Sequence, residues 1–113
     1  MIVEYTRYKI DGPRCDAFEK AYTSAAESLA ASSHCRAYEL SHCTKSRERY
    51  VLRIEWDSEE RHLKGFRSSS EFKPFFASVQ PFVRDIEEMR HYAVLLADKK
   101  QIEPESAPKR KNQ

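Results

Sequence analysis

The run His34-Cys35-Arg36-Ala37-Tyr38-Glu39-Leu40-Ser41-His42-Cys43-Thr44, then Lys45-Ser46-Arg47-Glu48, then Arg49-Tyr50-Val51-Leu52-Arg53-Ile54-Glu55-Trp56 decides the fold. In its last part Tyr50, Leu52, Ile54 and Trp56 fall on one face of an extended chain, and Val51, Arg53 and Glu55 on the other. Two alternating runs joined by four polar residues predict a β-hairpin.

Upstream of the hairpin, Phe18, Tyr22, Ala25 and Leu29 are spaced four, three and four, which marks one face of an amphipathic helix. Pro13 suits its first turn, Asp16 and Glu19 follow where the helix dipole favours acids, and Ser32-Ser33 should end it. Before it, Ile2–Ile10 is rich in branched and aromatic residues and reads as a strand closed by Asp11-Gly12-Pro13. Downstream, Asp57 with Glu60 resembles a capping box opening a short helix that carries Leu63 and Phe66. Ser68 with Glu71 repeats the signal for a helix striped with Phe72, Phe75, Phe76 and Val79, which Pro81 should end or kink. From Ile86 to Ala97 alternation returns, with Met89, His91, Ala93 and Leu95 on one face. The order β-α-β-β-α-β predicts an α+β, ferredoxin-like domain over residues 1–97: a four-stranded antiparallel sheet with helices on one face. Residues 98–113 read as a disordered charged tail.

This topology leaves a sheet face to cover. Val3 and Tyr5 point to one side of the first strand and Ile2 and Tyr8 to the other, while helices shield only one side. A homodimer packed through the sheet faces is expected.

The chain has 113 residues, 40% hydrophobic and 34% charged, which suits one domain and leaves no room for two. No apolar run reaches the ~18 residues of a membrane span, and Met1-Ile2-Val3 meets Glu4 too early for a signal peptide, so a cytoplasmic protein is expected. The net charge of +2 resides in the tail, whose five Lys/Arg outnumber its three acids; residues 1–97 balance to zero. No basic cluster suggests nucleic acid. Cys35 and Cys43 on one strand would stand ~26 Å apart, too far for a disulfide. His34-Cys35 and His42-Cys43 cannot chelate through both side chains of a strand dipeptide, and no metal site is expected.

A family comes into view in Ile2-Val3-Glu4-Tyr5, Arg36-Ala37-Tyr38-Glu39-Leu40 and Tyr50-Val51-Leu52-Arg53-Ile54-Glu55-Trp56 with the Ser58-Glu59-Glu60 helix start. His62-Leu63-Lys64-Gly65-Phe66-Arg67, Phe72 and Glu88-Met89-Arg90-His91-Tyr92 complete it. Together these resemble the antibiotic biosynthesis monooxygenase family of dimeric α+β barrels, over about residues 2–95. The resemblance implies oxidation of polycyclic phenols to quinones by dioxygen without metal, flavin or haem. A related branch degrades haem with an Asn on the first strand and a His ligand on the helix after the Trp. Thr6 and Phe75 or Phe76 stand at the best counterparts here, which disfavours haem chemistry.

Such oxidation needs an apolar pocket, a base and donors for a phenolate. His62, six residues after Trp56, is the expected base, with Trp56 or Tyr8 as anion-stabilising donor. Thr6, Phe66, Phe72, Phe76 and His91 are the expected contacts of a small aromatic ligand. Each also has a purely structural reading, as core aromatic, helix-surface histidine or hydrogen-bonded strand residue. The leading function is cofactor-independent oxygenation of a phenolic or quinone-like aromatic, and the alternative is a non-catalytic dimeric binding or structural module. A cleft of about 300 Å³ or more lined by polar and aromatic groups would favour the first. A cleft plugged by the phenylalanines would favour the second.

Overall fold

Alternation in the first strand puts Glu4, Thr6 and Tyr8 on one side and Val3, Tyr5 and Arg7 on the other, and the fold follows from that division. The computed structural model describes residues 1–97, except the side chains of residues 61–63. The tail expected over 98–113 lies outside the described residues. Strand β1 (Ile2–Lys9) is central, antiparallel to β3 (Ser46–Trp56) on one side and to β4 (Ile86–Ala93) on the other. Strand β2 (Cys35–Cys43) pairs with β3 at the sheet edge, giving the order β2-β3-β1-β4. This is the ferredoxin-like α+β arrangement.

Helix α1 (Cys15–Ala31) lays Phe18, Tyr22, Ala25 and Leu29 on the sheet as its spacing predicts, with Cys15 extending the stripe by one turn. Phe18 is fully buried, its ring 4.6 Å from that of Tyr50, 4.8 Å from Tyr8 and 5.2 Å from Phe82. A π-helical segment (Arg61–Phe66), helix α2 (Phe72–Val79) and a 3-10 turn (Gln80–Asp85) complete the helical layer. Pro81 falls in the first turn of that 3-10 piece, just after α2 ends.

Three local expectations are corrected. The hairpin turns at Thr44-Lys45 alone, because Ser46, Arg47 and Glu48 join β3. Those polar residues are anchored by partners elsewhere: Glu48 accepts from Lys9 Nζ at 2.6 Å and from the Gly12 amide at 2.7 Å, and Arg47 reaches Asp16 at 3.0 Å. Strand β4 ends at Ala93, short of Ala97, opposite Ile2 at the start of β1, and a single further backbone bond follows, from Val94 N–H to the Met1 carbonyl at 3.1 Å. Asp57 does not cap a helix; its carboxylate accepts from Arg36 Nη1 at 3.3 Å. A register shift opposite Arg7 and Tyr8, where β4 carries the extra residue Glu87, sets Ile86 opposite Tyr8 on the helix side.

The face of the sheet away from the helices is mixed. Val3 is buried, the rings of Tyr5 and Tyr92 meet edge to face at 5.6 Å, and Arg53 pairs with Glu55 at 2.8 Å. Removing the ring at the centre of the helical side tests the core. Phe18→Ala is expected to cost about 3–5 kcal/mol in urea unfolding, with an unchanged denaturant slope.

Candidate functional site

The inner face of β1 carries a carboxylate where a core residue would ordinarily stand. Glu4 is 4% exposed, and its oxygens accept from Thr6 Oγ1 at 2.6 Å and from Trp56 Nε1 at 3.1 Å. Thr6 is two residues along the same strand, and Trp56 closes β3 beside Ile2 in the register, so the alternation of two paired strands assembles this group. Both hydrogen bonds offset the cost of taking a carboxylate out of water.

The carboxylate forms part of a cavity of about 440 Å³ between the sheet and the second helical stretch. Its floor is Glu4, Thr6, Tyr8, Leu52, Ile54 and Trp56, all buried, while Phe66, Phe72, Phe75 and Phe76 form an aromatic wall. Phe66 lies 5.1 Å from the Trp56 ring, and Phe72 stacks on Phe76 at 5.6 Å. At the rim, Phe76, Val83 and Met89 are each more than 40% exposed, and the exposed Arg67 also lines the cavity. The phenylalanines line the cleft and leave it open.

A second polar feature sits where α1 meets the floor. The hydroxyls of Tyr8 and Tyr22 share a hydrogen bond, and both residues line the cavity. Burial pushes Tyr8 up to about 12 and raises Tyr22 as well, so both phenols keep their protons at neutral pH. Two hydroxyls carry two protons and their mutual bond uses one. The other is left for a ligand oxygen.

Of the residues expected at the site, Thr6, Tyr8, Trp56, Phe66, Phe72 and Phe76 line this one cavity. Trp56 differs in its expected role: its indole N–H is directed to Glu4 rather than to a ligand, because a buried carboxylate lies within its reach. His91 pairs in register with Glu4 but lies outside the cavity wall, its Nδ1 3.7 Å from Glu59 Oε2. The side chain of His62 lies outside the described residues; its backbone belongs to the π-helical segment that supplies Phe66. Sequence reasoning missed Glu4, Tyr22 and Arg67 as wall residues. Glu4 could have been found, since it shares the parity of Thr6 and Tyr8 on the helix side.

The wall's distance from the sheet is set partly by Gly65. A Cβ at this position would lie 2.8 Å from the His34 imidazole, so a larger residue would require that ring to shift. Among the described residues, no three metal-binding side chains are grouped, and no helix is long and apolar enough to cross a membrane.

Fold and cavity together define a ferredoxin-like α+β domain with a ligand-sized cleft between its sheet and helices. Residues 1–78 match the antibiotic biosynthesis monooxygenase family, and the chain belongs to it. The chain is 31% identical over 75 residues to the uncharacterized protein YczJ of Bacillus subtilis, a match covering 66% of this chain and 79% of that one. Among solved structures, a mutant of SnoaB, a cofactor-independent oxygenase from Streptomyces nogalater, superposes with a TM-score of 0.70 at 12% identity, covering 85% of this chain and 94% of that one. A conserved protein from Methanosarcina mazei Go1 gives 0.66 at 18% identity, covering 80% and 89%. At such identities the two structures show a shared fold.

The buried tyrosines generate a pH dependence. Their folded values lie above the ordinary value of 10.0, so the unfolded chain loses these protons first as pH rises. Stability is therefore expected to be full below about pH 10 and to fall on the way to about 12. Denaturant titrations should show a shallower alkaline loss in the Tyr8→Phe, Tyr22→Phe double variant. Equal slopes would refute the assignment.

Proposed function

We propose that this protein is a cofactor-independent monooxygenase that converts a small phenolic or quinone-like aromatic with dioxygen. The observation that carries the reading is the open 440 Å³ cavity, with aromatic walls and a floor that combines a carboxylate with phenolic donors. Its size is ordinary for a small-molecule site. Family membership and the likeness to a cofactor-independent oxygenase support the same reading.

The chemistry asks the protein for two things. A base must take the phenolic proton, because the phenolate is electron-rich enough to reduce dioxygen. Protonated donors must hold the resulting oxyanion, and the spare proton of the Tyr8–Tyr22 pair suits that task. One oxygen atom then enters the ring carbon para to the hydroxyl, the other leaves as water, and the ring becomes a quinone. His62 is the proposed base, on the segment that follows Trp56. Thr6, Phe66, Phe72 and Phe76 would hold the flat ligand, with His91 behind Glu4.

Oxygen uptake on dihydroxylated polycyclic aromatics, with no cofactor added, tests this directly. The rate is expected to rise with pH between about 5 and 8, and His62→Ala should lower it on the order of 10²-fold. Full activity in that variant would remove the base assignment. Ligand binding without oxygen consumption would leave the non-catalytic module instead.

We also propose a homodimer through the sheet faces. Tyr5, Val51 and Tyr92 lie, with the already buried Val3, on the face that no described helix covers, and a second copy would cover them. Sedimentation at micromolar concentration is expected to give twice the 13.3 kDa chain mass. A monomer there would overturn the proposal.

A further inference from the structure

Phe18 gathers three tyrosines around one ring. Its centroid stands 4.8 Å from that of Tyr8, 5.1 Å from Tyr22 and 4.6 Å from Tyr50. Tyr8 and Tyr50 are also direct partners across β1 and β3, and all three tyrosines are buried. The cluster forms a partition. On one side lies the cavity of about 440 Å³, lined by Tyr8 and Tyr22. On the other, a groove of about 600 Å³ runs between α1 and β2, lined by Tyr22, Tyr50, His42 and Arg47. The three hydroxyls differ in where a proton can go. Those of Tyr8 and Tyr22 bond to each other, and a second phenol is a poor base. Tyr50 donates to Glu19 Oε2 at 2.6 Å, a carboxylate that Arg47 also approaches at 3.5 Å. Cys15 neighbours the Tyr50 hydroxyl, but its thiol donates to the Ile10 and Asp11 carbonyls, which leaves Glu19 as the acceptor. A phenol that loses an electron becomes a strong acid, so a tyrosyl radical settles where a base already holds the hydroxyl.

We infer that these tyrosines carry oxidising equivalents out of the cavity, and that Tyr50 is where the radical settles. This is a second, protective activity, and it takes its oxidant from the oxygenase reading: an alkoxyl radical of the ligand. That radical gains one electron by way of Tyr8 and Tyr22 and becomes an alkoxide. Tyr50 loses the electron, and its proton passes to Glu19, which leaves a neutral tyrosyl radical and a carboxylic acid. A thiol reaching the groove can then return a hydrogen atom to Tyr50. Trp56 and Met89, two oxidisable residues of the cavity wall, are thereby spared.

Flash oxidation of the purified protein with tris(bipyridine)ruthenium(III), followed by freeze-quench electron paramagnetic resonance, locates the radical without turnover. This bulky oxidant meets the surface, where Tyr38 is 40% exposed. The tyrosyl signal is nonetheless expected to be lost in Tyr50→Phe and kept in Tyr38→Phe. Glu19→Gln should lower its yield about tenfold. In the unaltered protein the hyperfine pattern should be that of one ordered, buried tyrosine, a reading that stands even if a variant does not fold. The link to the cavity is measured separately. Alkoxyl radicals from tert-butyl hydroperoxide and ferrous iron should oxidise Met89 and Trp56 more in Tyr50→Phe, and in the Tyr8→Phe, Tyr22→Phe double variant, than in the unaltered protein, as read by peptide mass mapping. A signal that survives Tyr50→Phe, a pattern of mixed exposed tyrosines, or cavity oxidation that no tyrosine substitution changes would each overturn the inference. Oxygen uptake without the Tyr50 signal would remove only this inference. The signal and the shielding without oxygen uptake would remove only the oxygenase reading.

Discussion

A carboxylate that is 4% exposed beneath a layer of helices loses most of its hydration, and its oxygens must find donors inside the fold. For Glu4 two donors come from the threonine two residues along its own strand and from the tryptophan that closes the neighbouring one. The second depends on the antiparallel register of β1 and β3, in which Ile2 faces Trp56. Slipping that pairing by one residue would turn Trp56 to the opposite face and take its donor away from the carboxylate. The polar floor is thus a consequence of strand register, and it restricts register in turn.

The bulge in β4 has a comparable effect at the other end of the cavity. By setting Ile86 opposite Tyr8 it gives the floor an aliphatic neighbour where unbroken alternation would have brought in Glu87. A carboxylate opposite Tyr8 would have needed hydrogen-bond donors of its own to be buried there. The Tyr8–Tyr22 pair meets the remaining need for polarity with uncharged groups, which are cheaper to desolvate.

The architecture was largely legible in the sequence because its signals are local. Phe18, Tyr22, Ala25 and Leu29 keep helical spacing, and Tyr50 to Trp56 alternate without a break, so both faces could be assigned before any contact was known. The end of β4 was not legible, since a strand stops where its partner stops and Val94 to Ala97 are as apolar as what precedes them. The two-residue turn was hidden for a related reason: Arg47 and Glu48 look like loop residues until Asp16, Lys9 and Gly12 are placed beside them. The aromatic wall could be read from its stripe. Glu4 shows at most a parity shared with Thr6 and Tyr8, and Arg67, an arginine after a helix, shows no pattern at all. The meaning of both comes from the cavity they share.

Trp56 is the sole tryptophan of the chain, 1% exposed, bonded through its indole nitrogen to Glu4 and packed 5.1 Å from Phe66. All ultraviolet emission from an indole in this protein therefore originates in the cavity floor. The protein carries a built-in optical gauge of its own site, without a label. Its colour and intensity register what stands beside that one ring: water, a flat molecule or an altered carboxylate.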